Sequence, residues 1–285
     1  MALPPDLTEL ADTYPLPSNA TFKGGITKFL NYAKGLLGST GNAAEARDAL
    51  GIGPAITGRQ KAINGNFSIN QDGVSGSVVL AAGVYGHDGW KAGAGGCSYT
   101  FATSGIDTLI TISAGTLVQV IEGSKLDGGD YVLSWSGTAQ GKIGAGAYGT
   151  SGITATGVTP ATNLNIEFGT GTLGKVQFEP GKLPTPFERR DELNECQRYC
   201  VYGKLQLGSA YPTAGAGAIA IGEIQFPRAM RATPTMTQLA GSSSSNVSAN
   251  SFLTATTTGC GVSVIQGGAL GNFSLFLLYS AKARL

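Results

Sequence analysis

Glycine is the feature that most constrains what this chain can fold into. The sequence of 285 residues contains 44 glycines, about twice the usual fraction. Together with alanine, serine and threonine they separate short runs of β-branched and aromatic residues, an arrangement typical of strands joined by tight turns. The pattern predicts a turn-rich, all-β protein. It also makes any single glycine motif easy to find by chance.

One glycine-rich stretch has the spacing of a nucleotide-binding loop. Residues 163–181, NLNIEFGTGTLGKVQFEPG, contain a G-x-G-x-x-G that begins at Gly169 and is followed by Lys175. A phosphate-binding loop needs a helix immediately after it, because the helix N-terminus supplies amide groups and a favourable dipole. The residues that follow alternate with period two and reach Pro180 instead.

The stretch is therefore predicted to be structural. It would form a glycine-rich hairpin turn between two strands, 164–168 and 175–179. Position 176 is valine, so the hydroxyl that would hold magnesium in a phosphate loop is missing. The sequence predicts no nucleotide and no other cofactor.

Charge and hydropathy exclude further classes of protein. The formal net charge is +1, which favours neither nucleic acid nor an anionic membrane as a partner. No apolar run approaches the roughly 20 residues that a membrane-spanning helix needs. Residues 1–17, MALPPDLTELADTYPLP, carry acidic residues and prolines where a signal peptide would carry basic residues and an apolar core. This argues against secretion by the usual route.

The cysteines and the one histidine do not form a recognisable metal site. Cys196 and Cys200 are four residues apart on a predicted helix, where backbone geometry is poor for a disulfide, and a zinc site would need more ligands than His87 adds. We expect the four cysteines to be reduced thiols that serve as small core residues: Cys97, Cys196, Cys200 and Cys260.

Four segments can be separated along the chain. Residues 1–60 contain two short helical patterns, 26–37 and 43–50, and are predicted to be an attachment or connector region. Residues 61–183 have strand periodicity and predict a β-sandwich of the jelly-roll type. A linking helix occupies 184–200, and residues 201–285 are predicted to form a second β-sandwich.

The strand predictions in 61–183 depend on alternation. Tyr131, Leu133 and Trp135 lie on one face of 130–136, and the same period recurs in 164–168 and in 176–178. Two apolar runs, 109–112 and 117–121, are joined by Ser-Ala-Gly-Thr, which predicts a turn between two strands.

The linking helix is predicted from a capping box. Thr185 would be the N-cap, Pro186 the first helical residue, and Glu188 would return a hydrogen bond to Thr185. The residues RRDELNECQRYC that follow are good helix formers, so the helix should span 186–199.

The C-terminal segment is predicted to be mainly strand. Residues 218–226, 262–266 and 273–279 are the best strand candidates, and GSSSSN at 241–246 reads as a polar loop. The last strand stays apolar almost to residue 285, which indicates that it is built into a core.

Catalytic signatures are missing from the sequence. Neither G-x-S-x-G nor H-E-x-x-H occurs, and His87 beside Asp88 is interpreted as a polar pair near a turn. A glycosidase needs two facing carboxylates, and the sequence alone cannot pair the five that remain available: Asp107, Glu122, Asp127, Asp130 and Glu167. We therefore expect a protein without catalytic residues, with a hydrolase or esterase as the enzymatic alternative.

Aromatic residues are the remaining candidates for binding, because the C–H-rich faces of sugars stack on exposed rings. Tyr148 and Tyr211 lie in loops rich in glycine, alanine and proline, where exposure is expected. Tyr85 and Trp90 are further candidates, although a core position is the favoured alternative for Trp90. Trp135 is assigned to the core by its strand position.

Several stretches together resemble bacteriophage tail-fibre proteins and their prophage relatives. They are AINGNFSINQDGVSG (62–76), YGHDGWKAGAGGCSYTF (85–101), GGDYVLSWSGTAQGKI (128–143) and KVQFEPGKLPTPFERRDELNECQRY (175–199). The N-terminal LLGSTGNAAEARDALGIG (36–53), FPRAMRATPT (226–235) and the ending FLLYSAKARL are similar to other fibre segments. This chain departs from the pattern at Asp72 and Gly89, where such proteins commonly carry a basic residue.

The resemblance implies a fold and a function. The fold would be a jelly roll like that of carbohydrate-binding modules, followed by a helix and a β-rich tip. The protein would be a homotrimeric virion component, assembled in the host cytoplasm and joined to other tail proteins through its N-terminal region. It would bind a bacterial surface glycan or protein, with tip loops 211–217 and 241–250 as expected contacts. A purely structural carrier fibre and a polysaccharide-modifying depolymerase or deacetylase are the alternatives.

Overall fold

The structure is a computed structural model that describes residues 58–209, 217–268 and 271–285, together with Thr27, Phe29 and Asn31. Those three residues are helical and exposed, in agreement with the helix expected at 26–37. The helix expected at 43–50 and Tyr211 lie outside the described residues.

Eight antiparallel strands form the first β-sandwich. One layer is ordered β1-β2-β3-β7-β5 and the other β8-β4-β6, and the two are hydrogen-bonded to each other where β3 meets β8. The strands are β1 (Val78–Leu80), β2 (Trp90–Ser104), β3 (Asp107–Ile121), β4 (Gly129–Ser136), β5 (Gly141–Ile143), β6 (Ile153–Val158), β7 (Leu164–Phe168) and β8 (Gly171–Pro180). A short 3-10 helix, Gly123–Lys125, follows β3.

Alternation places one side of each strand in a shared core. Tyr131, Leu133 and Trp135 of β4 are buried, as predicted, and Phe168 of β7 packs edge-on against Trp135 with ring centroids 5.1 Å apart. Trp90 is fully buried in the same core. Both layers therefore bury their aromatic faces against each other, and the predicted all-β class with a β-sandwich is confirmed.

The turn predicted at 113–116 is wrong, because β3 is continuous through it. The strand bends there at Gly115, whose φ is +69°, and β2 is bulged opposite the bend. On its other side β3 pairs with β8 through Ile110–Ile112 and with β7 through Leu117–Ile121. The glycine thus lets one long strand change its partner, and the local sequence could not distinguish that role from a turn.

The hairpin predicted in the glycine-rich stretch is also wrong. β7 and β8 do not pair with each other, and both run antiparallel to the same strand, β3. Gly169 and Thr170 connect them in line, so the chain passes from one layer to the other instead of reversing. The prediction that no helix follows the glycines is confirmed.

The linking helix is much shorter than predicted. Helix α1 is Glu192–Gln197, and Thr185 does not cap it. The Thr185 amide and hydroxyl both donate to the carboxylate of Glu179, at 2.7 Å each. The Glu188 carboxylate accepts from the amides of Gly58 and Gln60, at 3.1 Å each. Partners distant in sequence thus replace the local capping box.

Seven strands form the C-terminal part within its described residues, 200–209, 217–268 and 271–285. One sheet has the order β10-β14-β13, and in the other β15 is central, with β9 along one side and β11 and β12 along the other. The strands are β9 (Cys200–Ser209), β10 (Ile219–Gln225), β11 (Thr235–Gln238), β12 (Ser243–Ser245), β13 (Val247–Ala255), β14 (Gly259–Gln266) and β15 (Phe273–Lys282). The three strands predicted here are confirmed.

In the C-terminal part, β15 is buried in the core and β12 lies beside it as an edge strand. Leu275, Leu277 and Ala281 of β15 are buried, as the apolar C-terminal sequence indicated. The loop predicted at 241–246 instead contains β12, whose three serines are exposed while their backbone pairs with Ser274–Phe276 of β15. Polar residues suit an edge strand that faces solvent, which is why the composition resembled that of a loop.

An ion cluster joins the C-terminal part to the first sandwich. Asp72 lies 2.5 Å from Arg284 and 2.9 Å from Lys282, and it also accepts from the Tyr202 hydroxyl. The side chain of Asp72 is 11% exposed. The acidic residue that departs from the fibre pattern is thus a partly buried structural anion here, opposite two cations of the C-terminal part.

The second departure also has a structural role. Gly89 has φ +80°, and a Cβ at this position would lie 2.8 Å from Ile63 Cγ1. A basic side chain at 89 would therefore be strained and crowded in this backbone.

Candidate functional site

Three of the four predicted aromatic residues are among the described residues, and their environments differ. Trp90 is 0% exposed and its indole N–H donates to the Asn64 carbonyl oxygen at 3.0 Å, so a ligand cannot reach it. Tyr85 is half-buried under the Arg284 guanidinium, 4.7 Å from its ring centroid, and its hydroxyl donates to the Leu285 carbonyl oxygen. Tyr148 is 41% exposed. Within the described ranges, Phe29 is the only other exposed aromatic residue.

Tyr148 is held in one orientation by two charged neighbours. Its hydroxyl donates to Glu167 Oε1 at 2.8 Å, and the Lys142 ammonium lies 4.9 Å from the ring centroid. Lys142 and Glu167 form an ion pair at 3.1 Å. We call these three side chains the Tyr148 site. Because each contacts the other two, the ring needs little reorganisation before it meets a ligand.

Strand register explains why these residues meet. Lys142 of β5 and Glu167 of β7 are directly opposite each other, so their side chains point to the same face. Ile166 and Phe168, the neighbours of Glu167, are buried in the core. Alternation therefore directs Glu167 outward, away from the sandwich interior.

The loop that carries Tyr148 is closed at its base. Gly141 and Gly149 exchange backbone hydrogen bonds of 2.9 and 2.8 Å. Between the end of β5 and Tyr148 the residues are Gly-Ala-Gly-Ala, mostly exposed. Small side chains leave the ring uncovered, which is the signal in the sequence that predicted its exposure.

Electrostatics stabilise the arrangement. Burial opposes ionisation of Glu167, but hydrogen bonds from Tyr148, Lys142 and Thr116 outweigh it and lower the pKa of that carboxyl group. Burial and the adjacent Glu167 carboxylate raise the pKa of Tyr148 to about 12. At neutral pH the site thus presents a neutral phenol between a carboxylate and an ammonium group.

A second surface feature is an open cleft of about 390 Å³ where α1 meets both β units. We call it the basic cleft. Its lining residues are Gly58, Gln60, Lys61, Glu122, Ser124, Lys125, Arg190, Glu195, Arg198 and Arg228. They include five cations and two carboxylates. The cleft is therefore strongly positive although the whole chain has a net charge of only +1.

The two carboxylates are shared among three of the cations. Glu195 contacts Lys125 at 3.2 Å and Arg190 at 2.8 Å. Glu122 accepts from Arg198 at 3.0 Å and from the Tyr199 hydroxyl at 2.7 Å. These pairs hold the cleft walls together and leave an excess of positive charge.

The five carboxylates considered for catalysis each contact a cation. Asp107 contacts Lys175 and Arg189, Glu122 contacts Arg198, Asp127 contacts Lys61, Asp130 contacts Lys182 and Glu167 contacts Lys142.

Sequence reasoning missed Glu192, the carboxyl group most altered by its surroundings. Glu192 is 5% exposed and accepts a hydrogen bond from the Gly65 amide at 3.1 Å. Burial raises its pKa to about 7. The sequence predicts only a helical residue at this position, because nothing in the local sequence indicates that Gly65 packs against the start of α1.

His87 and Asp88 are buried at the turn that precedes β2. Burial lowers the pKa of His87 to about 4, so the imidazole is neutral at pH 7. Its Nδ1 lies 3.0 Å from the Tyr99 hydroxyl, and Asp88 accepts from the Gln71 amide at 2.6 Å. The interpretation as a polar pair near a turn is confirmed, because the Trp90 amide closes that turn by donating to the His87 carbonyl oxygen at 2.9 Å.

The cysteines are free and buried, as expected. In the part of the chain that the structure describes, no group of three or more His, Cys, Asp or Glu side chains is arranged to hold a metal ion. No helix of that part is long and apolar enough to cross a membrane.

Comparison with known proteins gives little further information. No protein-family model matches the chain, and no curated protein is similar to it in sequence. A similar solved structure is wild-type discoidin II from Dictyostelium discoideum, with 12% identity over 82% of this chain and 94% of that chain, at a TM-score of 0.25. Native recombinant discoidin II matches with 10% identity over 71% and 87%, at a TM-score of 0.23. Structural similarity at TM-scores this low does not establish a function for this chain.

Proposed function

We propose that this protein binds a glycan on a bacterial surface as part of a phage tail fibre. The observation that carries the glycan proposal is the exposed, preorganised Tyr148 ring on the first sandwich. An aromatic face beside a fixed carboxylate and ammonium group offers a sugar both a stacking surface and hydrogen-bonding partners. The tail-fibre part of the proposal rests on the sequence resemblance.

The Tyr148 ring can be tested by substitution. A glycan array would identify a ligand, whose affinity is then measured for wild type, Tyr148→Leu and Tyr148→Phe. Leucine removes the aromatic face, and the loss of about 1 kcal/mol should weaken binding at least about fivefold. Phenylalanine keeps the face but loses the hydroxyl bond to Glu167 that helps to orient it, so it should weaken binding less than leucine does.

A surface control separates ligand contact from general damage. Leu183 is 62% exposed and lies outside the Tyr148 site, so Leu183→Ala should leave glycan affinity unchanged. Unchanged affinity in Tyr148→Leu, or no glycan bound by the wild-type protein, would overturn the proposal. Binding of the labelled protein to host cells, with competition by the same glycan, would distinguish a receptor-binding fibre from a purely structural carrier.

We further propose that residues 61–183 and 201–285 are separate domains and that the chain forms a homotrimer. The outer face of β10 offers a surface for subunit contact. Ile219 and Ile221 are 64% and 71% exposed, and Leu253 of the same sheet is 42% exposed. Such a row of exposed apolar residues is typical of a protein interface.

Light scattering on the purified protein tests the trimer. The expected mass is about three times the 29.0 kDa of one chain. Ile221→Glu places a charge on the exposed face and should shift the protein toward the single-chain mass, whereas Val79→Glu, at a 75% exposed position of β1, should not. A single-chain mass for the wild-type protein would exclude the trimer.

The enzymatic alternative needs its own measurement. Incubation with host capsule or lipopolysaccharide should release neither oligosaccharide nor acetate if the protein only binds. Release of either product would replace the binding proposal by a depolymerase or a deacetylase.

A further inference from the structure

The basic cleft has cations that its own carboxylates do not neutralise. Arg228 is exposed, and among the described residues it contacts no carboxylate, donating only to the Asn194 carbonyl oxygen at 3.4 Å. The Lys61 ammonium lies 3.9 Å from Asp127, whose side chain is 87% exposed. Solvent screens a pair of this kind strongly. Two cations of the cleft are therefore available to a ligand.

The remaining cations are already fixed in place. Arg190 donates to Glu195 and to the Ala62 carbonyl oxygen, and Arg198 forms hydrogen bonds to both oxygens of Glu122. Lys125 is 24% exposed, and burial lowers its pKa despite the neighbouring Glu195 carboxylate. A partly desolvated ammonium group gains more from a further anion than a fully hydrated one.

From this charge arrangement we propose that the basic cleft binds an acidic saccharide, a sugar chain carrying carboxylate or phosphate groups. The anionic character of the ligand follows from the cleft itself, and its saccharide character rests on the proposed function. The cleft would act as a second subsite, separate from Tyr148.

The form of the cleft favours a flexible saccharide over other anions. Its volume of about 390 Å³ is within the range of small-molecule sites, and the cleft is open to solvent. A single-stranded nucleic acid would need exposed rings for base stacking. Tyr199, the aromatic residue beside Glu122, is 7% exposed, and its hydroxyl is engaged.

Calorimetric titration with trigalacturonate and its methyl ester tests the charge requirement. The two ligands share one sugar backbone, and esterification removes the negative charges while adding a methyl group to each carboxyl group. We expect the acid to bind at least about tenfold more tightly than the ester at low salt, and added sodium chloride to weaken binding of the acid. Equal affinities for the two ligands would overturn the inference.

Two charge-removing variants locate the site. Arg228→Gln should bind trigalacturonate about tenfold less tightly, the effect of losing one charge-assisted hydrogen bond, and Lys61→Gln should act in the same direction. Lys182→Gln is the matched control, because Lys182 is 65% exposed and outside the cleft. Unchanged affinity in Arg228→Gln would refute the assignment to this cleft.

The remaining outcomes separate the two proposals. Inorganic phosphate alone should bind more weakly than trigalacturonate, and equal or tighter phosphate binding would replace the saccharide by a free anion. If Tyr148→Leu loses array-glycan binding while Arg228→Gln changes nothing, the cleft inference fails alone. If no array glycan binds but Arg228-dependent trigalacturonate binding persists, the Tyr148 proposal fails and the cleft inference stands.

Discussion

Replacing Glu192 by glutamine should make the protein more stable at alkaline pH than the wild type. Glu192 is buried beside the Gly65 amide at the start of α1. Burial raises its pKa from the ordinary 4.5 to about 7. Between these two pH values the folded state holds a proton at Glu192 that the unfolded state has released. The free energy of unfolding therefore falls as pH rises through this range.

The size of the effect follows from the shift. At 1.36 kcal/mol per pH unit, the interval from 4.5 to about 7 corresponds to on the order of 3 kcal/mol. Glutamine carries no charge and can still accept from the Gly65 amide. The stability of Glu192→Gln relative to wild type should thus increase by on the order of 3 kcal/mol from pH 4.5 to pH 8.

Urea unfolding followed by tryptophan fluorescence measures this difference, because Trp90 and Trp135 are both in the first sandwich. Comparing each variant with wild type at every pH cancels the contribution of His87. Burial lowers the pKa of His87 from 6.5 to about 4, so that contribution has the opposite sign and is lost as pH falls.

Glu188→Gln is the matched control. Burial opposes ionisation of Glu188, but hydrogen bonds from the amides of Gln60 and Gly58 outweigh it and lower its pKa. The ionised carboxylate therefore stabilises the fold above its unfolded pKa, and this stabilisation is lost as pH falls. Glu188→Gln should lose stability relative to wild type as pH rises, opposite to Glu192→Gln. A pH-independent difference for Glu192→Gln would refute the reasoning.

Three further predictions test the fold. Gly115→Ala should destabilise the first sandwich by about 3 kcal/mol, because its Cβ would lie 2.1 Å from the Gly96 carbonyl oxygen; Gly105→Ala, with a similar φ and open space, should cost about 1 kcal/mol in the same urea unfolding assay. Equal costs for Gly115→Ala and Gly105→Ala would show that the bulge in β2 moves freely away from the added methyl group. Asp72→Asn should leave Lys282 and Arg284 without their anion, at a cost of about 3 kcal/mol. Because Arg284 donates to Cys200 Sγ at 3.1 Å, a thiol reagent should then modify Cys200 faster, and an unchanged rate would contradict the predicted loosening. Gln60→Leu should cost about 2 kcal/mol in urea unfolding, because Gln60 satisfies the Val176 carbonyl oxygen and the Phe178 amide at 2.7 and 2.8 Å; a smaller cost than Asn66→Leu at the surface would disprove this role.

Local alternation was enough to predict the buried side of β4 and β7, because which side of a strand is buried depends on a period of two residues. Tyr131, Leu133 and Trp135 were assigned to the core correctly on this basis. The exposure of Tyr148 could also be predicted from its neighbours in sequence, because the small side chains of residues 144–147 cannot cover its ring. The Lys142 and Glu167 partners could not, since they depend on the register of β5 against β7.

Where prediction failed, a distant partner replaced a local one. Thr185 and Glu188 have the sequence of a capping box, yet each binds a group brought near by the sheet. The serines of β12 resemble a loop until β15 supplies a strand to pair with.

The sequence by itself determined the all-β class, the core-facing side of β4 and β7 and the strand, not a helix, that contains the glycine-rich stretch's last glycines, because these depend on neighbouring residues. Only the tertiary structure decided how β3 changes partners at Gly115 and where the charges gather. Lys61, Lys125, Arg190, Arg198 and Arg228 are spread over 168 positions of a chain whose net charge is +1. Their common cleft exists because packing of α1 against both β units brings them together, and long-range packing of this kind leaves no local pattern to read.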